Sequence, residues 1–262
     1  MNLTDDQIDR YARHLVLKEV GGPGQQKLLN ARVLIIGAGG LGSPLTLYLA
    51  AAGVGTLGIV DDDHVTLSNL QRQIIHGNAD INHKKTMSAK QSVEAITPDV
   101  KVIPHTERLT PSNAAELISQ YDIVADGSDN FETRYLINDT CYAEAKTLVS
   151  AAIGEFDGQI ATFKPRDPSG VFPCYRCLYP EAPPAGTIPP CAEAGILGAV
   201  AGIVGAWQAL EVIREIVGFG DGLAGKLLLF DGLNARTRTI TLPCDPACAL
   251  CGEPANRNPK GN

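Results

Sequence analysis

The run Arg32-Val-Leu-Ile-Ile36, followed at once by Gly37-Ala-Gly-Gly-Leu-Gly42, constrains this chain more than any other feature. Four consecutive apolar residues read as a strand buried on both faces. Gly37, Gly39, Gly40 and Gly42 then mark a tight turn, and Ser43 to Ala52 a helix. Glycines at such a strand-to-helix turn let backbone N–H groups and the helix N-terminus approach phosphates without side-chain obstruction. A second strand, Thr56 to Val60, ends at Asp61, where a ribose-binding acid belongs. The pattern points to nucleotide binding, with close helix–strand packing as the purely structural alternative.

Strand-like runs at Val100 to Pro104 and Asp122 to Ala125 alternate with helical patterns. Such alternation predicts an α/β, Rossmann-like, doubly wound and mostly parallel sheet. Three later strands, Gly158–Phe163, Lys226–Phe230 and Thr237–Leu242, have weaker helical separation and predict a mixed or antiparallel C-terminal extension. Ahead of the first strand, Thr4-Asp-Asp-Gln7 fits a capping box before Ile8, Tyr11, Leu15 and Leu17, predicting a helix over 4–20 that stops near Gly21-Gly22-Pro23. The expected organisation is one domain over 1–252, with a nucleotide-binding core at 31–155 and a C-terminal part at 156–252. Tyr179 to Pro190 reads as a mobile crossover loop, and 253–262 as a frayed tail.

Composition narrows the function classes. With 262 residues, 44% of them hydrophobic, the chain can bury a full core. A formal net charge of -7 without a Lys/Arg run argues against nucleic acid as a partner. The apolar stretch from Ala194 to Trp207 is too short to span a membrane and reads as a buried core or subunit-interface helix. The polar, acidic N-terminus resembles no secretory signal, so a cytoplasmic location is expected.

Seven cysteines in such a chain suggest metal or thiol chemistry rather than disulfides. Cys174-Tyr-Arg-Cys177 and Cys248-Ala-Leu-Cys251 have the knuckle spacing with which four thiolates hold one structural Zn²⁺. Cys244 precedes the second knuckle at a poorer spacing and stays outside the set. Cys191, in Pro189-Pro-Cys-Ala-Glu-Ala-Gly195, precedes an apolar helix and is open between a nucleophilic and a structural role.

The glycine motif alone would favour an NAD-dependent dehydrogenase. The following segment argues for phosphate chemistry: Ser68-Asn-Leu-Gln-Arg-Gln73 and Lys84-Lys85 bring polar and cationic groups that a nicotinamide does not need. Cleavage of ATP at its α-phosphate needs them, because negative charge builds on the leaving pyrophosphate. Asp126-Gly-Ser-Asp129-Asn130 ends a later strand at the sheet's carboxyl edge. There Asp129 suits Mg²⁺, or serves as a helix N-cap.

Together, Gly37 to Gly42, Ser68 to Gln73, Gly127 to Asn130, the paired knuckles and Cys191-Ala-Glu-Ala-Gly195 resemble the MoeB/ThiF family of ubiquitin-activating-like adenylyltransferases, from about Asp9 to Gly252. The resemblance implies ATP-dependent adenylation of the C-terminal carboxylate of a ubiquitin-like sulfur-carrier protein ending in Gly-Gly. The motifs look closer to the molybdopterin-synthase type than to the thiamine-pathway type. It implies that Gly40 and Asp61 contact the nucleotide, that Ser68, Asn69, Leu70, Gln71 and Arg72 form a phosphate-side segment, and that Lys85 joins Arg72 and Asn69 on the phosphates. Asp129 would position Mg²⁺, with Asn130 in the same pocket. Lys84 competes with Lys85 for its role, and the following Ser88-Ala89 favours Lys85. The resemblance further implies a homodimer in which Arg13 reaches the partner subunit's ATP site. It also implies a cysteine at position 191 that joins the carrier in some members, and a separate sulfur donor such as a cysteine desulfurase or rhodanese. A non-catalytic carrier-binding subunit is the remaining alternative.

Overall fold

The computed structural model describes residues 3–168, 171–184 and 195–252. Eight strands form one sheet in the order β3-β2-β1-β4-β5-β6-β7-β8. The parallel part comprises β1 (Arg32–Ile36), β2 (Thr56–Val60), β3 (Lys101–His105), β4 (Ile123–Asp126) and β5 (Thr147–Ile153). β6 (Asp157–Phe163), β7 (Lys226–Asp231) and β8 (Arg236–Thr241) continue it antiparallel, as the sequence suggests.

The apolar run of β1 serves two cores at once, because successive side chains of a strand point to opposite faces. Val33 and Ile35 join the core on one side, while Leu34 and Ile36 join the core on the other. Over the first face lie α3 (Gly21–Asn30), α4 (Gly42–Ala51), α5 (Lys85–Ile96) and α9 (Gly198–Val217); α6 (Ala114–Ser119), α7 (Phe131–Ala143) and α8 (Tyr175–Leu178) pack together elsewhere. This is the doubly wound arrangement. The direction in which successive strands are added reverses between β1 and β4, so their carboxyl ends open a crevice at the switch point.

The N-terminal region departs from the single helix expected over 4–20. Two short helices, α1 (Asp5–Arg10) and α2 (Ala12–Leu15), are separated at Tyr11, whose backbone sits at φ -99° and ψ 13°. Tyr11 is buried against Gly53, where any Cβ would lie 2.5 Å from its ring. That docking, rather than helix propensity, sets the chain's path. The capping box at Thr4 and Gln7 is present. Gly21-Gly22-Pro23 begins α3 instead of ending a helix. Pro23 occupies the first turn, where its missing N–H removes no intrahelical bond.

Residues 198–207 of the apolar stretch form the front of α9, which runs 20 residues to a left-handed C-cap at Gly218. Two side chains of α9 fasten it to the sheet. Gln208 donates from Nε2 to the carbonyls of Asp126 and Val149. Glu211, fully buried, accepts from the Thr162 hydroxyl and the Leu223 N–H and pairs with Arg214. Among the described residues no helix is long and apolar enough to cross a membrane.

Removing one partner of a buried ion pair strands the other, at a cost of about 3–5 kcal/mol. Glu211→Ala is therefore expected to lower unfolding stability by about that amount in denaturant titrations. An unchanged midpoint and slope would show that Glu211 does not fasten α9.

Candidate functional site

The turn after β1 is built from contacts that only glycine allows. A Cβ on Gly42 would lie 1.9 Å from the Gly37 carbonyl oxygen. Gly37 adopts φ +94° and would bring a Cβ within 3.1 Å of the Gly127 carbonyl, at the end of β4. Asp61, just after β2, accepts the Ala38 N–H on Oδ2 at 2.8 Å and the Asp63 N–H on Oδ1 at 2.9 Å. The acid that sequence reading assigned to a ribose thus also braces the turn.

Around this turn opens a cleft of about 320 Å³. Of the residues singled out from sequence, Gly37, Gly39, Gly40, Asp61, Arg72, Lys85, Asp129 and Asn130 line it together. Gly42 starts α4 behind the turn. Ser68, Asn69, Leu70 and Gln71 stand outside the cleft wall, at the 3-10 turn Leu67–Asn69 and just after it. Asn69 Oδ1 accepts the Thr66 N–H there, and the turn leads into Arg72. Arg72 lays its stem over Gly40 and donates from Nη1 to the Ser68 carbonyl at 3.1 Å.

Lys85 and Lys84 separate by position. Lys85 opens α5, is buried to 6% exposure, and pairs through Nζ with Asp63 at 2.8 Å. Lys84 reaches away to the Asp62 carbonyl and is not part of the wall. On the far side, Asn130 takes the N-cap of α7, its Oδ1 accepting the Thr133 N–H at 2.9 Å. The capping alternative for Asp129 is thereby filled by its neighbour, and the Asp129 carboxylate stays exposed at the cleft. Such an oxygen donor suits a hard cation such as Mg²⁺.

Arg13 lies exposed on α2, outside the cleft. Cys191 lies outside the described residues, as do 185–190 of the expected crossover loop and the 253–262 tail.

Gln73, the last residue of the Ser68–Gln73 motif, also lines the cleft, and sequence reading missed Asp63, Arg134 and the Glu107-Arg108-Leu109 segment, all in the wall. Arg134 stands one helical turn after Asn130 and donates to the Ser128 carbonyl at 2.7 Å; its spacing from the cap was a usable signal. Glu107 to Leu109 follow β3 without any motif, and only the strand order brings them here.

The four knuckle cysteines converge as their spacing predicts. Their sulfurs all lie within 4.8 Å of one another, with Cys174–Cys248 at 3.6 Å and Cys177–Cys251 at 3.3 Å. A tetrahedral zinc–thiolate site has sulfur–sulfur edges of roughly 3.8 Å, so the set could hold a metal of that kind. Hydrogen bonds from Cys174 and Cys251 pull the pKa of the Cys177 thiol down, and the Asp245 N–H also reaches its sulfur. Cys244 instead contacts the Val171 carbonyl.

The fold and site define a doubly wound α/β domain with a four-thiol cluster and, at its switch point, a glycine-turn cleft lined by both cations and carboxylates. The chain belongs to the ThiF family, whose model matches residues 11–250. It is 50% identical over 245 residues to the probable adenylyltransferase/sulfurtransferase MoeZ of Mycobacterium tuberculosis, covering 94% of this chain but 62% of that one. The sulfur carrier protein adenylyltransferase of Thermus thermophilus is 45% identical over 259 residues, covering 98% of this chain and 96% of that one. The crystal structure of E. coli MccB with ATP shares the fold, with a TM-score of 0.78 at 18% identity, over 96% of this chain and 83% of that chain.

Elemental analysis of the purified chain is expected to find one tetrahedrally bound metal per molecule, and its chelation should lower the melting temperature. A metal-free protein whose melting is insensitive to Cys248→Ser would remove the metal from this site.

Proposed function

We propose that this chain adenylates the C-terminal glycine carboxylate of a ubiquitin-like sulfur-carrier protein with ATP, giving an acyl-adenylate and pyrophosphate. The observation that carries the reading is the composition of the cleft. Arg72 and Lys85 face Asp129 across a glycine turn at the carboxyl edge of the sheet. A hydride-transfer site would need no such cations. The names of the Mycobacterium and Thermus relatives agree with this chemistry.

In this mechanism the carrier's terminal carboxylate, with a pKa of about 3.5, is already ionised at neutral pH, so no general base is required. The residues act by positioning and by stabilising charge. The turn amides and Asp61 orient the nucleotide. Arg72 and Lys85 face the phosphates as negative charge moves onto the pyrophosphate. Asp129, left outside the helix cap, is the residue to hold Mg²⁺, which would supply further neutralisation of the phosphates. In a homodimer, Arg13 of a second copy adds a cation from outside this chain's own cleft. The cysteine cluster holds Zn²⁺ as a structural ion, since four thiolates leave no open coordination position. In this reading Cys191 is the thiol that captures the activated carrier, and a separate protein delivers sulfur. The carrier is the small subunit of molybdopterin synthase in preference to the thiamine-pathway carrier.

Exchange of labelled pyrophosphate into ATP should depend on added carrier, and assaying the molybdopterin-type and thiamine-type carriers in parallel identifies the pathway. Arg72→Ala and Asp129→Ala are each expected to reduce exchange by roughly 100- to 1000-fold, typical of losing one charge-stabilising group, with melting little changed. Near-normal exchange in either variant would remove that residue from the site, and no exchange with either carrier would sink the adenylation reading.

A further inference from the structure

His76 is buried to 7% exposure behind the glycine turn and is not part of the cleft wall. Its Nε2 lies 2.9 Å from the Ala38 carbonyl oxygen and its Nδ1 lies 2.8 Å from the Ser88 hydroxyl. A carbonyl oxygen only accepts, so Nε2 must carry the hydrogen, and the neutral ring then accepts from Ser88 on Nδ1. Burial lowers the pKa of this imidazole. The Ala38 bond opposes that shift, Lys85 on α5 reinforces it, and Asp80 and Asp61 act against it.

The consequence is geometric. In a trans peptide the C=O and N–H point in opposite directions. Holding the Ala38 carbonyl toward His76 therefore turns the Gly39 N–H away from it, and Gly39 is a cleft residue. The preceding peptide is fixed independently, since the Ala38 N–H is donated to Asp61. One side chain thus holds each peptide plane flanking Ala38. Ser88 stands one turn after Lys85 on α5, so the same imidazole also ties the turn to the helix that carries the buried cation. Gln73, at the start of the hydrogen-bonded turn that ends in His76, packs beside Gly39.

We propose that His76 is a positioning residue for phosphate binding: its Nε2–H fixes the Ala38–Gly39 peptide so that the Gly39 N–H faces the nucleotide's phosphates, and its Ser88 bond sets that peptide against Lys85. The inference rests on the ATP reading of the cleft. It predicts different outcomes for two similar substitutions. A glutamine amide nitrogen reaches roughly where Nε2 lies and keeps the donor to Ala38, whereas an asparagine amide reaches only the Nδ1 position.

ATP affinity, and inhibition by adenosine as a phosphate-free competitor, are to be measured on wild type, His76→Gln, His76→Asn and Ser88→Ala. His76→Asn is expected to weaken ATP binding about tenfold and His76→Gln by no more than about twofold, as for loss or retention of one buried hydrogen bond. Adenosine inhibition should stay unchanged in both. Equal losses in the two variants, an unaffected His76→Asn, or a parallel loss of adenosine binding would overturn the proposal. If His76→Asn fails to fold, Ser88→Ala decides: a raised KM for ATP with an unchanged KM for the carrier supports the role, and an unchanged KM for ATP refutes it. Wild-type protein that binds ATP without exchanging pyrophosphate would sink adenylation while leaving the comparison of the variants intact.

Discussion

One backbone contact fixes the arrangement from which the rest of the site follows: the Gly37 carbonyl oxygen occupies the space where any other residue at 42 would place its Cβ. The contact forces α4 to begin directly where β1 ends, so the helix N-terminus and the turn amides share one side of the sheet. No side-chain rotation relieves a Cβ at 1.9 Å from backbone, so the requirement for glycine is absolute in this geometry. The positive φ of Gly37 then lets the end of β4 close in at Gly127. The loops after β2, β3 and β4 all deliver their side chains into the crevice between β1 and β4.

The C-terminal half depends on this frame through a few buried polar bonds. Gln208 reads the carbonyls of Asp126 at the end of β4 and of Val149 within β5, and Glu211 joins α9 to β6. The first cysteine knuckle docks on α7: the Tyr175 N–H donates to Asn138, and Arg176 forms a two-pronged pair with Asp139 at 2.8 and 2.7 Å. The N-terminus of that same helix is Asn130 in the cleft wall. The thiol cluster and the cleft therefore share α7, separated by two to three helical turns. That distance suits a cluster that holds the fold together rather than one that takes part in chemistry.

Much of this was legible in the sequence, for physical reasons that also mark where legibility ends. Four apolar residues in succession at Val33 to Ile36, ended by a glycine turn that opens a helix, read as a strand buried on both faces, and the paired CxxC spacing points to one shared site. β5 escaped notice because Thr147-Leu-Val-Ser-Ala-Ala-Ile153 mixes small and polar residues, its Ser150 bonding to the buried Asp126. The start of α3 was misread because Gly-Gly-Pro ends helices more often than it begins them. In the site, residues belonging to a motif were visible. Glu107 to Leu109 and the pairing of Asp63 with Lys85 were not, since both arise from strand order and long-range contact, which no local pattern encodes.

The doubly wound frame does not by itself select a chemistry. What distinguishes this cleft is where its charge sits. The chain as a whole is acidic, yet Arg72, Lys85, Arg108 and Arg134 converge on one crevice. A buried ammonium is costly without a partner, and Asp63 offsets that cost for Lys85. Asp63 is itself 69% exposed, so solvent screens its attraction and leaves much of the lysine's charge unneutralised toward the cleft. The same wall carries the carboxylates of Asp61, Asp62, Asp63, Glu107 and Asp129, so the cleft pairs cations with acids rather than presenting charge of one sign, and a cation held by Asp129 would shift that balance toward binding an anion.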